Sequence, residues 1–149
     1  MPAMLTYYIF EGLLVGNAGG RSFYIHALSG GGSGSTKGAG NSAGNNPYST
    51  GLKTSGAAGS ASHVHGGPVP LGKYRIHRPA FRSGHGKCAV LEPQSGSNRS
   101  GFLIHGRGPH GSDGCIVPLS QFPELMAALE KENGGTLFVE ETSGGARFA

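Results

Sequence analysis

His105 and Cys115 form a pair whose residue types and spacing could support nucleophilic chemistry. They lie ten positions apart in FLIHGRGPHGSDGCIVP, residues 102–118, and glycine, proline and small polar residues fill most of the interval. A cysteine attacks as the thiolate, so either its pKa must fall or a base must lie beside it. Because His105 ends one apolar stretch and Cys115 begins the next, the loop between them could bring the imidazole to the sulfur. The sequence therefore predicts Cys115 as a nucleophile and His105 as its base.

Glycines on both sides of the loop could complete this pair. Gly114 lets the backbone turn tightly before Cys115, so that neighbouring N–H groups could point at a developing oxyanion. No acidic partner for His105 is apparent, and the carbonyl of Gly106 is a candidate to orient the second ring nitrogen. The alternative is a small buried cysteine and a strand-end histidine, but the S-x-G-C-I context after I-H-G disfavours it.

Other polar and aromatic residues are candidates for substrate contact. Ser112 and Asp113 precede the nucleophile and either shape the loop through backbone hydrogen bonds or touch a substrate. His110 is either a substrate-loop residue or a solvated side chain. Tyr74 follows the turn PVPLG and belongs either to the core or to the wall of a cleft. Cys88 alternates like a strand residue and is expected to be buried and inert, and whether it pairs with the second cysteine stays open.

The elements that must position these residues are predicted to be mostly β-strands. Apolar runs rich in aromatic and β-branched residues alternate with turns that contain Gly, Pro and Asn. These runs cover residues 4–15, 21–28 and 73–77, KCAVLEP from Lys87, GFLIHG from Gly101, CIVPL from Cys115, and TLFVEET near the C-terminus.

One segment, SQFPELMAALEKENGG, has the pattern of a helix. Ser120 is the expected N-cap and Gly134 the expected stop. Leu125, Ala128 and Leu129 recur on one face, as expected for a helix that packs against a core.

Length and composition predict a single domain, residues 1–149. Only 36% of the residues are hydrophobic and 13% are charged, whereas glycine reaches 29 residues. Much of that glycine, with Ser, Ala and Asn, lies in residues 29–67, which predicts a long functional or disordered loop. The predicted fold is a mostly β core with one short C-terminal helix and this loop.

Charge and hydropathy exclude several classes of function. The net charge of +4 comes from scattered Lys and Arg without a basic, aromatic-rich run, which argues against nucleic acid and suits an anionic matrix such as a cell wall. No apolar run is long enough for membrane insertion. The N-terminus lacks a basic region and Glu11 interrupts its apolar stretch, so we expect no signal peptide.

At the level of motifs, IHG…GSDGCI resembles the active-site signature of L,D-transpeptidase catalytic domains. The short spacing between histidine and cysteine is more similar still to the L,D-transpeptidase-like effectors of bacterial type VI secretion systems, which attack peptidoglycan. Their pattern also includes an early Ser-Gly segment, an Asn-Asn-Pro loop and a Gly-Pro-x-Pro-x-Gly-x-Tyr turn. This chain has SGGGSG from Ser29, NNP at Asn45–Pro47 and GPVPLGKYRI from Gly67. The resemblance covers roughly residues 5–140.

This resemblance implies a β-sandwich-like fold and a cofactor-free enzyme of the peptidoglycan tetrapeptide stem. Cys115 would attack the carbonyl of the L-centre of the third stem residue and expel the terminal D-Ala. Water would complete L,D-carboxypeptidation, whereas a D-amino acid or a second stem would complete exchange or cross-linking. The protein would be made in the cytoplasm, delivered by a secretion system, and would act in the periplasm of a target cell, where an immunity protein could block it.

One position departs from the cross-linking enzymes of this family. They commonly carry Arg directly after the Cys-Ile step, where this chain has Val117. This difference favours the effector-like branch. Arg107 could supply the missing charge for a substrate carboxylate, and a solvated loop cation is an equal alternative.

Two other functions remain open on the sequence. His63 and His65, with His105, His110 and Asp113, could form the zinc site of a cell-wall peptidase, because histidines at i and i+2 of a strand share one face. No HExxH motif is present, and the preferred interpretation has no metal. A non-catalytic wall-binding module is the second alternative, and it would not need a reactive thiol at Cys115.

Overall fold

The computed structural model describes residues 2–32, 43–57, 62–94, 99–106 and 113–144. Within these ranges the chain forms nine β-strands, one α-helix and one short 3-10 helix. The strands are β1 (Ala3–Tyr8), β2 (Leu13–Ala18), β3 (Arg21–Ser29), β4 (Gly72–Ile76), β5 (Ala80–Arg82), β6 (Gly86–Pro93), β7 (Phe102–His105), β8 (Ile116–Pro118) and β9 (Gly135–Glu140). The helix α1 spans Phe122–Lys131, and the 3-10 helix spans Pro47–Ser49.

The N-terminal apolar run forms a hairpin, so the prediction of one strand over residues 4–15 is wrong. β1 and β2 pair antiparallel, with Tyr7 opposite Leu14. The chain turns at residues 9–12, where the N–H of Gly12 donates to the carbonyl of Ile9 at 3.1 Å. Gly12 has a φ of +62°, a conformation that glycine adopts without steric cost.

The strands form a single sheet that closes on itself. Its order is β4-β9-β1-β2-β3-β8-β7-β6-β5, and β4 also pairs with β6. Most neighbours are antiparallel, but β1 with β9 and β7 with β8 are parallel. The parallel pair β7–β8 matters most here, because the predicted base, His105, ends β7 and the predicted nucleophile, Cys115, directly precedes β8.

The core lies inside this closed sheet and is covered by α1. Side chains alternate between buried and exposed along the strands, as in β3, which is the period expected of a half-buried sheet. Leu125, Ala128 and Leu129 of α1 are buried, as predicted. The largest fully buried side chains are Tyr7, Tyr74, Leu5, Ile9, Leu14, Ile25, Ile76, Leu91, Ile104, Ile116, Leu125 and Met126.

The ends of α1 differ in part from the prediction. Ser120 is not the N-cap: Gln121 occupies that position with a φ of +56°, and its side chain makes no capping hydrogen bond. The helix ends before Gly134, as predicted, where the N–H of Gly134 donates to the carbonyl of Leu129 at 2.8 Å. Gly134 has a φ of +92°, which explains why glycine stands there.

The predicted fold class, mostly β with one helix near the C-terminus, is confirmed within the described residues. The predictions missed β5, which has three residues that are all exposed and therefore shows no alternation. The described part of the long loop contains the 3-10 helix and an antiparallel bridge between Ser55 and Val64. In the part of the chain that the structure describes, no helix has the length and apolar character required to cross a membrane.

Candidate active site

The register of β7 and β8 brings His105 and Cys115 to the same face of the sheet. Ile104 pairs with Ile116, and both side chains are fully buried in the core. Successive residues of a strand point to opposite faces. His105, which follows Ile104, and Cys115, which precedes Ile116, therefore both lie on the face opposite to the core. The Cys115 sulfur lies beside β7, where it accepts a hydrogen bond from the backbone N–H of Leu103 at 3.3 Å. His105 lies two residues further along the same strand.

The His105 imidazole is held in one tautomer. Its Nδ1–H donates to the carbonyl oxygen of Gly106 at 2.7 Å, the contact expected from the sequence. Nε2 therefore carries the lone pair and can accept a proton. Burial lowers the pKa of His105, and the His85 ring, 5.4 Å away between centroids, lowers it further, although the bond to Gly106 acts in the opposite direction. The ring is therefore neutral at pH 7, as a general base must be.

The Cys115 thiol is protonated at neutral pH. Burial is the largest cause that raises its pKa, to about 11, and the Asp113 carboxylate adds to the effect. The Leu103 N–H and the Arg99 guanidinium lower the pKa but do not compensate. The raised pKa argues against a preformed thiolate at pH 7. Attack by Cys115 would therefore require a base that takes the thiol proton.

The alkylation rate of Cys115 should therefore keep rising with pH well into the alkaline range. Iodoacetamide reacts with the thiolate, so the rate should increase about tenfold per pH unit from pH 7 toward the pKa. The measurement uses Cys88→Ala protein, in which Cys115 is the remaining cysteine, and follows the mass shift with time. A rate that levels off near pH 7 would instead show a preformed thiolate and contradict this assignment.

Gly114 is required by close contacts immediately before the nucleophile. Its φ is +135°, and an added Cβ would lie 2.6 Å from the Phe102 ring and 2.7 Å from Nη2 of Arg99. Its carbonyl accepts a hydrogen bond from Oγ of Ser29 at 3.0 Å. The predicted tight turn is therefore present. The role of nearby N–H groups in stabilising an oxyanion stays a prediction.

Ser29 connects the nucleophile loop to two other segments that the sequence analysis singled out. Its fully buried hydroxyl donates to Gly114 and accepts from the N–H of Val69 at 2.9 Å. Its own N–H donates to Oδ1 of Asn45 at 2.8 Å. The Ser-Gly segment, the Asn-Asn-Pro segment and the Gly-Pro-Val-Pro turn thus converge on the residue that precedes Cys115.

Arg99 is a central residue of the site that the sequence analysis missed. Its Nη1 donates to the carbonyls of Thr50 and Pro68, at 2.5 and 2.9 Å. Its Nη2 donates to the carbonyls of Gly67 and Asp113, at 3.1 and 2.9 Å. One side chain therefore fastens three separate segments around the nucleophile. An arginine in a Gly/Ser-rich stretch gives no sequence signal of such burial.

Replacing Arg99 with lysine should lower the free energy of unfolding by about 3 kcal/mol, because an ammonium group cannot reach all four carbonyls and leaves buried acceptors unsatisfied. Arg21→Lys is the matched control: each guanidinium lies 5.1 Å from a phenylalanine ring, but Arg21 is exposed. The control should change by less than about 0.5 kcal/mol. The free energy of unfolding is measured by chemical denaturation. Equal decreases for Arg99→Lys and Arg21→Lys would show that the carbonyl contacts of Arg99 do not stabilise the fold.

His63, His65 and Asp113 form a separate polar cluster. Nδ1 of His65 lies 2.6 Å from one carboxylate oxygen of Asp113, and Nε2 of His63 lies 3.6 Å from the other. The two imidazole rings meet edge to face, 4.4 Å apart. Of the five residues that the sequence suggested for a zinc site, these three lie together, His105 is not part of the group, and His110 is outside the described residues.

The remaining candidates lie in the core or outside the described residues. Tyr74 is in the core, its hydroxyl donates to the carbonyl of Pro70 at 2.7 Å, and burial raises its pKa to about 12. The structure thus favours the core interpretation of Tyr74 over the cleft one. Three predicted site residues, Arg107, His110 and Ser112, fall outside the described residues.

Cys88 is buried, and its burial raises the pKa of its thiol, as expected for an unreactive side chain. It lies on β6 opposite His105, so β7 separates it from Cys115. Neighbouring strands are about 4.8 Å apart, so two residues with one strand between them are separated by about twice that distance. This exceeds the Cα distance of about 7 Å that a disulfide tolerates. Both are thiols in this structure, and pairing them would require backbone movement.

No protein-family model matches this sequence, and no curated protein matches it significantly. Similar folds occur among solved structures. The helical cell shape determining protein Pgp2 from Campylobacter jejuni matches with a TM-score of 0.55 and 14% identity, over 95% of this chain and 48% of that chain. An L,D-transpeptidase from Xylanimonas cellulosilytica DSM 15894 matches with a TM-score of 0.49 and 15% identity, over 93% of this chain and 60% of that chain.

The chain therefore spans about half the length of Pgp2 and three-fifths of the second protein. The second TM-score is below 0.5, so the fold comparison rests on Pgp2. At 14% identity this similarity establishes a common fold.

Proposed function

We propose that this chain is a cysteine-dependent enzyme of the peptidoglycan stem peptide, with L,D-carboxypeptidase or L,D-transpeptidase activity. The observation that carries the proposal is the arrangement of Cys115 and His105. The thiol and a neutral imidazole share one face of adjacent strands, and the bond to Gly106 leaves Nε2 available as a base. The motif order and the fold in common with a helical cell shape determining protein support the choice of substrate.

The proposed reaction proceeds through a thioester. Sγ of Cys115 attacks the carbonyl of the L-centre of the third stem residue while His105 Nε2 takes the thiol proton. Backbone N–H groups beside Gly114 stabilise the oxyanion. Collapse breaks the amide bond, and the imidazolium gives its proton to the amine of the departing D-Ala. Water then hydrolyses the thioester, or the amine of a D-amino acid or second stem replaces it.

The direct test is to incubate the protein with purified tetrapeptide muropeptides and to analyse the products by mass spectrometry. Tripeptides indicate hydrolysis, and exchanged or dimeric stems indicate transfer. A protein that binds peptidoglycan but leaves every stem unchanged would be the wall-binding module. Loss of activity with a chelator, together with unchanged activity after alkylation of the thiol, would support the zinc peptidase instead.

We further propose that the protein acts as an antibacterial effector, delivered by a secretion system into the periplasm of a target cell and blocked there by an immunity protein. The short spacing between His105 and Cys115 and Val117 in place of arginine support this branch. Expression with an added export signal should cause swelling or lysis that depends on Cys115. Equal toxicity of cytoplasmic protein would mean that the substrate is not the cell wall.

A further inference from the structure

We propose that His63, His65 and Asp113 bind a divalent transition-metal ion of the zinc class. Their ligand atoms all lie within 4.8 Å of one another. Two imidazole nitrogens and one carboxylate oxygen form a donor set that zinc takes at three-ligand sites. This proposal goes beyond the enzymatic function and does not depend on it.

The backbone fixes both histidines on one side of their segment. Val64, between them, forms an antiparallel bridge with Ser55, with N–H to carbonyl distances of 2.8 and 3.0 Å. In such an extended segment, residues i and i+2 point to the same face. The geometry expected from the H-x-H sequence is therefore present, and both rings reach Asp113.

Outer contacts orient the ligand atoms toward a common point. Nδ1–H of His63 donates to the carbonyl of Gly56 at 3.3 Å, which leaves Nε2 directed at Asp113. Metal-binding histidines commonly donate their second ring nitrogen in this way. The His65 ring packs against Gly32, where an added Cβ would lie 2.5 Å from the ring. The backbone of Asp113 is held by Arg99.

A histidine–carboxylate contact elsewhere in the molecule shows what distinguishes this cluster. Nε2 of His77 lies 2.7 Å from a carboxylate oxygen of Glu92, almost the same distance as between His65 and Asp113. That pair lies on the surface and is not among the three-ligand groups found in the described residues. It therefore serves as a matched control for a histidine–carboxylate contact without a third ligand.

Binding would fasten two segments next to the nucleophile. His63 and His65 lie in the segment that leads into the Gly-Pro-Val-Pro turn, and Asp113 lies two residues before Cys115. The ion would replace the proton between Nδ1 of His65 and Asp113, and the neutral imidazole would then carry its one proton on Nε2. Because the unfolded chain does not hold these ligands together, bound metal should stabilise the folded protein.

The test is calorimetric titration of the chelator-treated full chain with ZnCl₂, paired with the visible absorption of the Co²⁺ complex. We expect one ion per chain and a melting temperature that rises by several degrees at saturation. His65→Gln and Asp113→Asn should each weaken binding at least about tenfold. His77→Gln and Cys115→Ala should bind like the unmodified chain.

Two outcomes would overturn the proposal. Loss of binding in Cys115→Ala, with a cobalt–thiolate absorption band in the unmodified chain, would assign the ion to the thiol. Similar affinities for all four variants would reveal nonspecific surface binding. The melting temperature of each metal-free variant shows whether it is folded. If His65→Gln is unstable, Asp113→Asn still tests the site, because asparagine has the same side-chain shape as aspartate. Stem cleavage by the metal-free chain is measured separately, so failure of this proposal is distinguishable from failure of the enzymatic one.

Discussion

Cys115→Ala is expected to abolish the release of D-Ala from tetrapeptide stems, a loss of at least about 10³-fold, because the variant lacks the thiol that forms the thioester in the proposed reaction. The Cys115 residue is partly exposed, and alanine keeps its Cβ, so the variant should remain folded with a small loss of stability. The measurement is mass spectrometry of muropeptides over a time course. Full activity in this variant would mean that Cys115 is not the nucleophile.

Cys88→Ala is the control for this experiment. Cys88 is the other cysteine of the chain and lies near the base, opposite His105 on β6. It is fully buried, so its removal should cost some stability while the turnover of folded enzyme is retained. The pair of variants thus separates loss of the proposed nucleophile from loss of a buried thiol opposite His105.

His105→Ala is expected to lower the turnover rate by about 10²–10⁴-fold, the usual contribution of a positioned acid–base group. The reason is specific to this site: with the pKa of Cys115 raised to about 11, very little thiolate exists at pH 7 without a base. The activity that remains should rise with pH, because hydroxide can then remove the thiol proton. Both the rate at pH 7 and its pH dependence are measured on muropeptides.

His77→Ala is the control for the base. His77 contacts Glu92 at the surface and has no part in the site, so its replacement should leave the rate unchanged. His85→Ala tests the neighbouring ring, which lowers the pKa of His105. Its removal should shift the acid limb of the pH–rate profile upward by a small amount. Equal losses for all three histidine variants would show that the effect is structural.

Several hydrogen bonds hold the backbone that directly precedes Cys115. Ser29 bonds the carbonyl of Gly114, and Arg99 bonds the carbonyl of Asp113. The Asp113 side chain is in turn paired with His65. These contacts place the sulfur against β7 without providing a positive partner strong enough to create a thiolate. Such a site keeps the thiol protonated at neutral pH, so the proposed reaction requires His105 to take the thiol proton.

The sequence by itself determined the pair of groups that could react and much of the fold. The His-Gly and Ser-x-Gly-Cys patterns at the ends of apolar runs predicted where two strands end and begin. The alternation in residues 21–28 and the helical period of Leu125, Ala128 and Leu129 predicted their buried faces. These signals are local, since they depend on backbone preferences and on periods of two and 3.6 residues.

The tertiary structure alone decided which distant residues join this pair. Three features depend on contacts between segments far apart in the chain. They are the hydrogen bonds of Arg99, the hydrogen bonds of Ser29, and the cluster of His63, His65 and Asp113. The parallel register of β7 with β8 likewise places the imidazole and the thiol on one face. Long-range pairing is set by how the sheet closes around its core, and local patterns do not encode it. The same burial raises the pKa of Cys115, so the protonated state of the thiol at neutral pH is a property of the folded chain.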